Sequence, residues 1–277
     1  MLLTQSSLCP FPARERMAEL MFDTFGVRGL WMENSAVLAT YASGRVTALS
    51  VECGDSGLQV VPVVYGHVVA RGCVRQTTGG SDVTAHLGRL LAMERGVALA
   101  TTADREALRA MKTALATVVE TVPDPAAPPA PLLTQAYTLP DGRTVQVGSE
   151  RERCTEALFN PACVGSTELG VAAAVAHALQ RCNAAHQADL ADNIILSGGS
   201  TLHPGFPQRL RAELAACRLA VPRVRVVATP ERLLSPWIGG SILGSFSFTQ
   251  FMLVTRRQYH ESGPSIIRAR LVSRADA

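Results

Sequence analysis

The chain contains no apolar run approaching the roughly 18 residues that a membrane-crossing helix requires, so a transmembrane assignment is not expected. Met1 to Pro10 carries neither the basic start nor the apolar centre of a secretory leader, and a cytoplasmic location is expected. The cysteines are odd in number, Cys9, Cys53, Cys73, Cys154, Cys163, Cys182 and Cys217, and no two are spaced C-x-x-C. That pattern speaks against a disulfide framework and a zinc site, and for reduced thiols that pack as small hydrophobes. The six histidines lack H-E-x-x-H or comparable ligand spacing. Charge of one sign is also scarce. The formal net charge is +3 and the basic residues are scattered, which argues against direct nucleic-acid binding. No short-period repeat is visible.

What is present is a globular composition, 47% hydrophobic and 18% charged, long enough for one large or two ordinary domains. Apolar spacing at Met17, Leu20, Met21 and Phe25 predicts a helix over 13–25. Strands are expected at 46–51 and 58–64, paired as a hairpin across Gly54. Asp82 reads as the N-cap of a helix running to Arg95 and stopped by Gly96. Thr101 opens another, to about Val119. Pro123, Pro125, Pro128, Pro129 and Pro131 then interrupt regular structure and read as a surface loop, with a ligand for a proline-recognising module as the alternative. Asp141-Gly142 between 137–139 and 144–147 is a hairpin signal. A long alanine-rich helix is expected over 168–188, a strand at 193–196, a helix at 207–217 and a strand at 223–227. Alternating strands and helices with interspersed hairpins give an α/β protein with a mixed sheet.

Three glycine pairs or turns stand next to apolar runs: Gly54-Asp55-Ser56-Gly57, Ser197-Gly198-Gly199-Ser200 and Ile238-Gly239-Gly240-Ser241. A strand entering a glycine turn lets backbone N–H groups converge without side-chain obstruction, an arrangement suited to phosphate. Three such turns, far apart in sequence, suggest a nucleotide cleft assembled from distant parts of the chain.

These segments resemble actin. Val37-Leu38-Ala39-Thr40-Tyr41-Ala42-Ser43-Gly44-Arg45 is similar to the actin segment VLSLYASGR, and 193–205, NIILSGGSTLHPG, to NVLSGGTTMYPG. Pro230-Glu231-Arg232 with Ser235-Pro236-Trp237-Ile238-Gly239-Gly240-Ser241-Ile242-Leu243 resembles PERKYSVWIGGSIL, and 258–266 resembles the actin terminus. The resemblance runs from Leu2 to about Arg268. It implies the actin-like ATPase (ribonuclease H-like) fold. Met1 to Pro10 corresponds to a place inside an actin chain, so one half-domain is expected complete and the other partial. The first phosphate loop, DNGSG in actins, and the small inter-subunit subdomain are expected to be missing. On that basis 1–42 and 235–277 form the remnant of a first subdomain, 43–79 and 168–234 a third-subdomain core, and 80–167 a fourth-subdomain insertion.

The resemblance also implies site residues. The family's second phosphate loop, DSGDG, is retained as Glu52-Cys53-Gly54-Asp55-Ser56. Glu52 replaces the Asp that organises the water shell of the cation, which makes it an indirect metal contact. The glutamine that orients the hydrolytic water falls on Ser35 and the neighbouring histidine on Gln59, so hydrolysis is expected to be severely impaired. Gly80, Arg109, Lys112, Gly198, Gly199 and Ser200 match positions lining the adenine and ribose pocket. The ribose-binding Glu falls on Thr113, the stacking Tyr on His203 and the Lys over the base on Leu233. ATP or ADP with magnesium is therefore expected to bind weakly or not at all.

Tyr41, Gly44, Ile242, Leu243 and Phe246 match the apolar cleft where actins receive partners, and Tyr65 and His67 depart from it. Phe22, Phe25, Trp237 and the segment around Ile242 are expected to be exposed unless a partner covers them or the protein starts upstream. The leading expectation is a divergent cytoskeletal actin-like protein, a structural or interaction subunit in a hetero-oligomer with actin-like or cytoskeletal proteins. Its alternatives are a working ATP-binding actin whose N-terminus is missing from the sequence, and a nuclear subunit of a chromatin-remodelling assembly.

Overall fold

The computed structural model describes residues 1–99, 101–122, 134–217 and 219–268. The proline stretch at 123–131 lies outside the described residues. The largest sheet has the order Val226–Val227, Ile194–Ser197, Ala48–Cys53, Leu58–Val64, His67–Val68, and Val74–Gln76 also pairs with Leu58–Val64. Its first three strands are parallel and the rest antiparallel, so the sheet is mixed, as the alternating pattern implies. A second sheet pairs Leu2–Gln5 in parallel with Gly29–Asn34, which Val254–Thr255 joins antiparallel. Gln135–Thr138 and Thr144–Val147 form the expected hairpin, with Gly142 at φ 85° in its turn.

The main core lies between the large sheet and its helices, with Leu49, Val51 and Val60 of the sheet against Leu87, Leu91, Met111, Val175 and Leu210. The central strands read as near-continuous apolar runs because both faces are covered.

Several boundaries differ from the sequence expectation, each for a local reason. The helix expected over 13–25 is α-helical only at Phe11–Glu19 and continues as a π-helical turn at Leu20–Thr24. Asp82 is not the N-cap of Gly80–Arg95. It sits at the third helical position, where its carboxylate accepts from the N–H of Gly79 at 2.8 Å. The Thr101 cap is present, closed by Asp104, but Thr102–Leu115 ends at Ala116, where the backbone turns extended. The long helix expected over 168–188 is two helices, Val171–Gln180 and Ala184–Ala191, because Asn183 caps the second by accepting from Ala185 N. Glu168 stays outside and accepts from the backbone and hydroxyls of Thr77 and Thr78. The strand expected over 46–51 is shifted to Ala48–Cys53, and that over 223–227 shortens to Val226–Val227.

The third glycine pair is not a turn. Gly239 and Gly240 lie inside the helix Ser235–Gly244, which packs on Ser35–Ala42. A Cβ at Gly239 would stand 1.9 Å from the Leu38 carbonyl oxygen, so glycine is required there for close helix approach. Phe22 is also corrected: it is fully buried and stacks on Tyr259 at 4.5 Å. Phe25 and Trp237 are exposed, as expected, at 68% and 70%.

Candidate functional site

Strand pairing brings the first two glycine turns together. Cys53 and Leu58 close the hairpin register, and Gly54 donates its N–H to Gly57 O at 3.0 Å. The Gly54 carbonyl then accepts from the N–H of Gly80 and from the Ser200 hydroxyl, both at 2.9 Å. One peptide group thus ties the turn to the start of Gly80–Arg95 and to the second glycine turn. A Cβ at Gly80 would lie 2.7 Å from Ser200 Oγ, so a larger residue there would displace the Ser200 hydroxyl from its place in the junction. Lys112, on Thr102–Leu115, reaches across and donates to Gly80 O at 2.7 Å, with Asp55 Oδ1 at 3.8 Å.

Above this junction opens a pocket of about 560 Å³. Its walls carry Asp55, Arg109, Lys112, Gly199, Ser200 and His203, with Thr113 and Leu233 completing the side where the resemblance placed lost contacts. Burial holds the Lys112 amine below the ordinary lysine range, opposed by the Asp55 carboxylate. Burial also lowers His203 to about 4, so this imidazole is neutral near pH 7.

Ser35, Glu52 and Gln59 form a second cluster. Glu52 and Gln59 are direct cross-strand partners and therefore share one face of the sheet. Ser35 Oγ donates to Glu52 Oε2 at 2.8 Å, and Ser6 Oγ donates to Gln59 Oε1 at 2.8 Å. Glu52 Oε1 is buried without a hydrogen-bond partner among the described residues. Burial, only partly offset by the Ser35 bond, raises the Glu52 carboxyl to about 7.

Not every candidate faces a common space. The Gly198 N–H donates to Arg232 O, and a Cβ on Gly198 would meet the Cys53 carbonyl oxygen at 2.4 Å. Gly198 thus serves the turn, and Gly199 is the one that lines the pocket. Arg109 also carries an ion pair to Glu106 on its own helix. Ser56 is exposed at the hairpin tip and is not part of the pocket wall. The Gly54 N–H closes its own turn and so is not free to face an anion. Of the expected partner surface, Tyr41 and Leu243 line a separate cavity of about 470 Å³ together with Tyr65 and His67. Tyr65 holds a strained φ of 50° there. Gly44, Ile242 and Phe246 are not in its walls.

Sequence reasoning missed two features. The Ser6–Gln59 bond joins residues 53 positions apart and has no local signal. The other was countable: Lys112 is the only lysine among 277 residues, against 25 arginines.

A profile of the family described as Actin matches residues 1–272. The chain is 37% identical over 277 aligned positions to a protein of Neurospora crassa named "Actin-like protein", covering 97% of this chain and 72% of that one. The chain belongs to the actin family. Its fold is therefore the actin-like ATPase fold, mixed α/β. Members of the actin family generally bind ATP or ADP with magnesium.

The residues fit a nucleotide in part. The space above Gly54 and Gly199 is open: a Cβ there would meet nothing closer than 3.9 Å and 3.5 Å. Asp55, Arg109 and Lys112 supply groups that would hold ribose and phosphate. The fit to a cation is thinner. No group of three or more His, Cys, Asp or Glu side chains able to hold a metal occurs among the described residues. Magnesium would be held through phosphate oxygens and water, with the Glu52 carboxylate behind the water shell. Among the described residues no helix is long and apolar enough to cross a membrane.

Proposed function

We propose that this chain is a structural and interaction subunit of the cytoskeletal actin-family kind, holding ATP or ADP with magnesium weakly and hydrolysing it little or not at all. The observation that carries this reading is the pocket in which Asp55, Lys112 and the adjacent pair Gly199 and Ser200 converge from three separate segments. The backbone frame of a nucleotide cleft is kept while several side chains that would grip or activate are exchanged. Ser35 is too short to hold a water where the family has glutamine, and its hydroxyl is already committed to Glu52. Leu233 and the neutral His203 offer the base apolar contact but no charge.

On this reading 1–42 and 235–277 belong to a first subdomain, 43–79 and 168–234 to the third, and 80–167 to the fourth. The partners are actin-like or cytoskeletal proteins in a hetero-oligomer, and the location is the cytoplasm. The exposed Trp237 and the cavity around Tyr41 and Leu243 support a protein-facing role.

Hydrolysis gives the direct test. ATP held with magnesium on the purified chain is expected to be recovered intact in a single-turnover assay. A positioned acid–base group contributes about 10²–10⁴-fold, and that contribution is absent at Ser35. Complete conversion to ADP and phosphate within the assay would overturn the reading in favour of a working ATPase.

A further inference from the structure

Arginine fills 25 of the 26 basic Lys or Arg positions, and lysine only one. Arginine cannot give up its proton in a protein, whereas lysine can become a free amine and a nucleophile. The single lysine is not on the surface, where lysine usually lies. Its side chain is 7% exposed, and it forms part of the wall of the 560 Å³ pocket. Its nitrogen makes one short bond, to Gly80 O at 2.7 Å. An arginine here would have to place a planar fork in the same space, where a Cβ on Gly80 would already come within 3.2 Å of the Lys112 nitrogen.

The surroundings suit a reacting amine. Asp55 Oδ1, 3.8 Å away, can receive a proton. Arg109, on the same wall, supplies a fixed positive charge for a phosphate. The other titratable groups facing the nitrogen are Cys53 and Cys154, both pushed up to about 12 and hence neutral thiols, and the neutral His203. Desolvation and Arg109 favour the free amine, while Asp55 opposes it, and the net direction is downward.

We propose that Lys112 is a covalent modification site, the one side-chain amine of the chain, presented to a pocket that admits a small acyl phosphate. In the step, the lone pair of Nζ attacks the acyl carbon and an N–C bond forms. The C–O bond to phosphate breaks, and phosphate leaves with the electron pair. The proton lost by nitrogen passes to the Asp55 carboxylate and on to solvent. The product is a neutral amide, so acylation removes the cation that Lys112 offers to an anionic ligand. The inference rests on the pocket walls and not on which ligand occupies them.

Acetyl phosphate is the probe. The folded chain and the same chain unfolded in guanidinium chloride are incubated with it at pH 7.5, and acetylation of Lys112 is followed by peptide mass mapping. Because the Lys112 amine is held below the ordinary lysine range and sits in the pocket wall beside Asp55, it is expected to be acetylated faster in the folded chain than in the unfolded one. Lys112→Arg is expected to leave no acetylated side-chain amine. A folded rate equal to or below the unfolded rate overturns the proposal, because burial would then merely protect the amine. That comparison uses unaltered protein and does not depend on how well the variant folds.

Discussion

Gly198→Ala is expected to lower the unfolding free energy by about 3 kcal/mol or more and to abolish nucleotide binding at the cleft. Two costs act together. Gly198 has φ 90°, a conformation that an L side chain adopts only under strain. The added methyl would also stand 2.4 Å from the Cys53 carbonyl oxygen and 2.8 Å from its carbon, which are backbone atoms of the central strand and cannot swing aside. Relief requires the second glycine turn to move off the strand. That movement would stretch the Ser200 bond to Gly54 O and the Arg232 bonds that hold Thr201 at 2.9 and 3.1 Å. Urea unfolding of the variant measures the first effect. A loss below about 1 kcal/mol would show that the turn is loosely held and that the junction described above does not govern the site.

The second large effect concerns pH. The Glu52 carboxyl titrates at about 7 in the fold against an ordinary 4.5. A carboxyl raised in this way stabilises the fold fully below pH 4.5, and that contribution is lost as pH rises through 7. The shift corresponds to about 3 kcal/mol across the window, and Glu52→Gln, which mimics the protonated form, should remove it. The variant is expected to gain about 3 kcal/mol over the unaltered chain at pH 8 and under about 1 kcal/mol at pH 5, read from urea midpoints. His203 acts in the opposite sense. Its folded value of about 4 against 6.5 means that stability present above pH 6.5 is lost as pH falls towards 4. The unaltered chain should therefore be most stable between these limits, and a Glu52→Gln gain of equal size at pH 5 and pH 8 would contradict the assignment of burial as the cause.

Much of the fold was legible because it is written in local chemistry. The hairpin around Gly54, the Thr101 cap and the Gly96 stop each follow from a few adjacent residues. The misreadings occurred where a distant contact decides. Gly239 and Gly240 look like a turn in sequence, yet they lie in a helix, where the Leu38 carbonyl leaves no room for a side chain at Gly239. Alanine periodicity runs smoothly through Arg181, and only the Asn183 side chain reveals the second helix. Phe22 was expected on the surface, but Tyr259, 237 positions later, covers it and donates to the neighbouring Asp23.

The site was legible to a similar degree. Asp55, Lys112, Gly199 and Ser200 were recognisable from motifs and do meet around one pocket. The separate roles of Gly198 and Gly199 were not, because adjacent residues in a turn point to different neighbours. Nor was the state of Glu52, which depends on Ser35 and on burial that no spacing reveals.

The most direct measurement is equilibrium binding of a fluorescent ATP analogue to the purified chain with magnesium, with unlabelled ATP and ADP as competitors. A cleft that keeps its backbone frame but has exchanged Thr113, His203 and Leu233 should bind with Kd of about 0.1–1 mM, equivalent to roughly 4–5.5 kcal/mol. Competition by both nucleotides in that range would support the account. A Kd of about 1 µM or below, or no competition at all at about 10 mM, would contradict it.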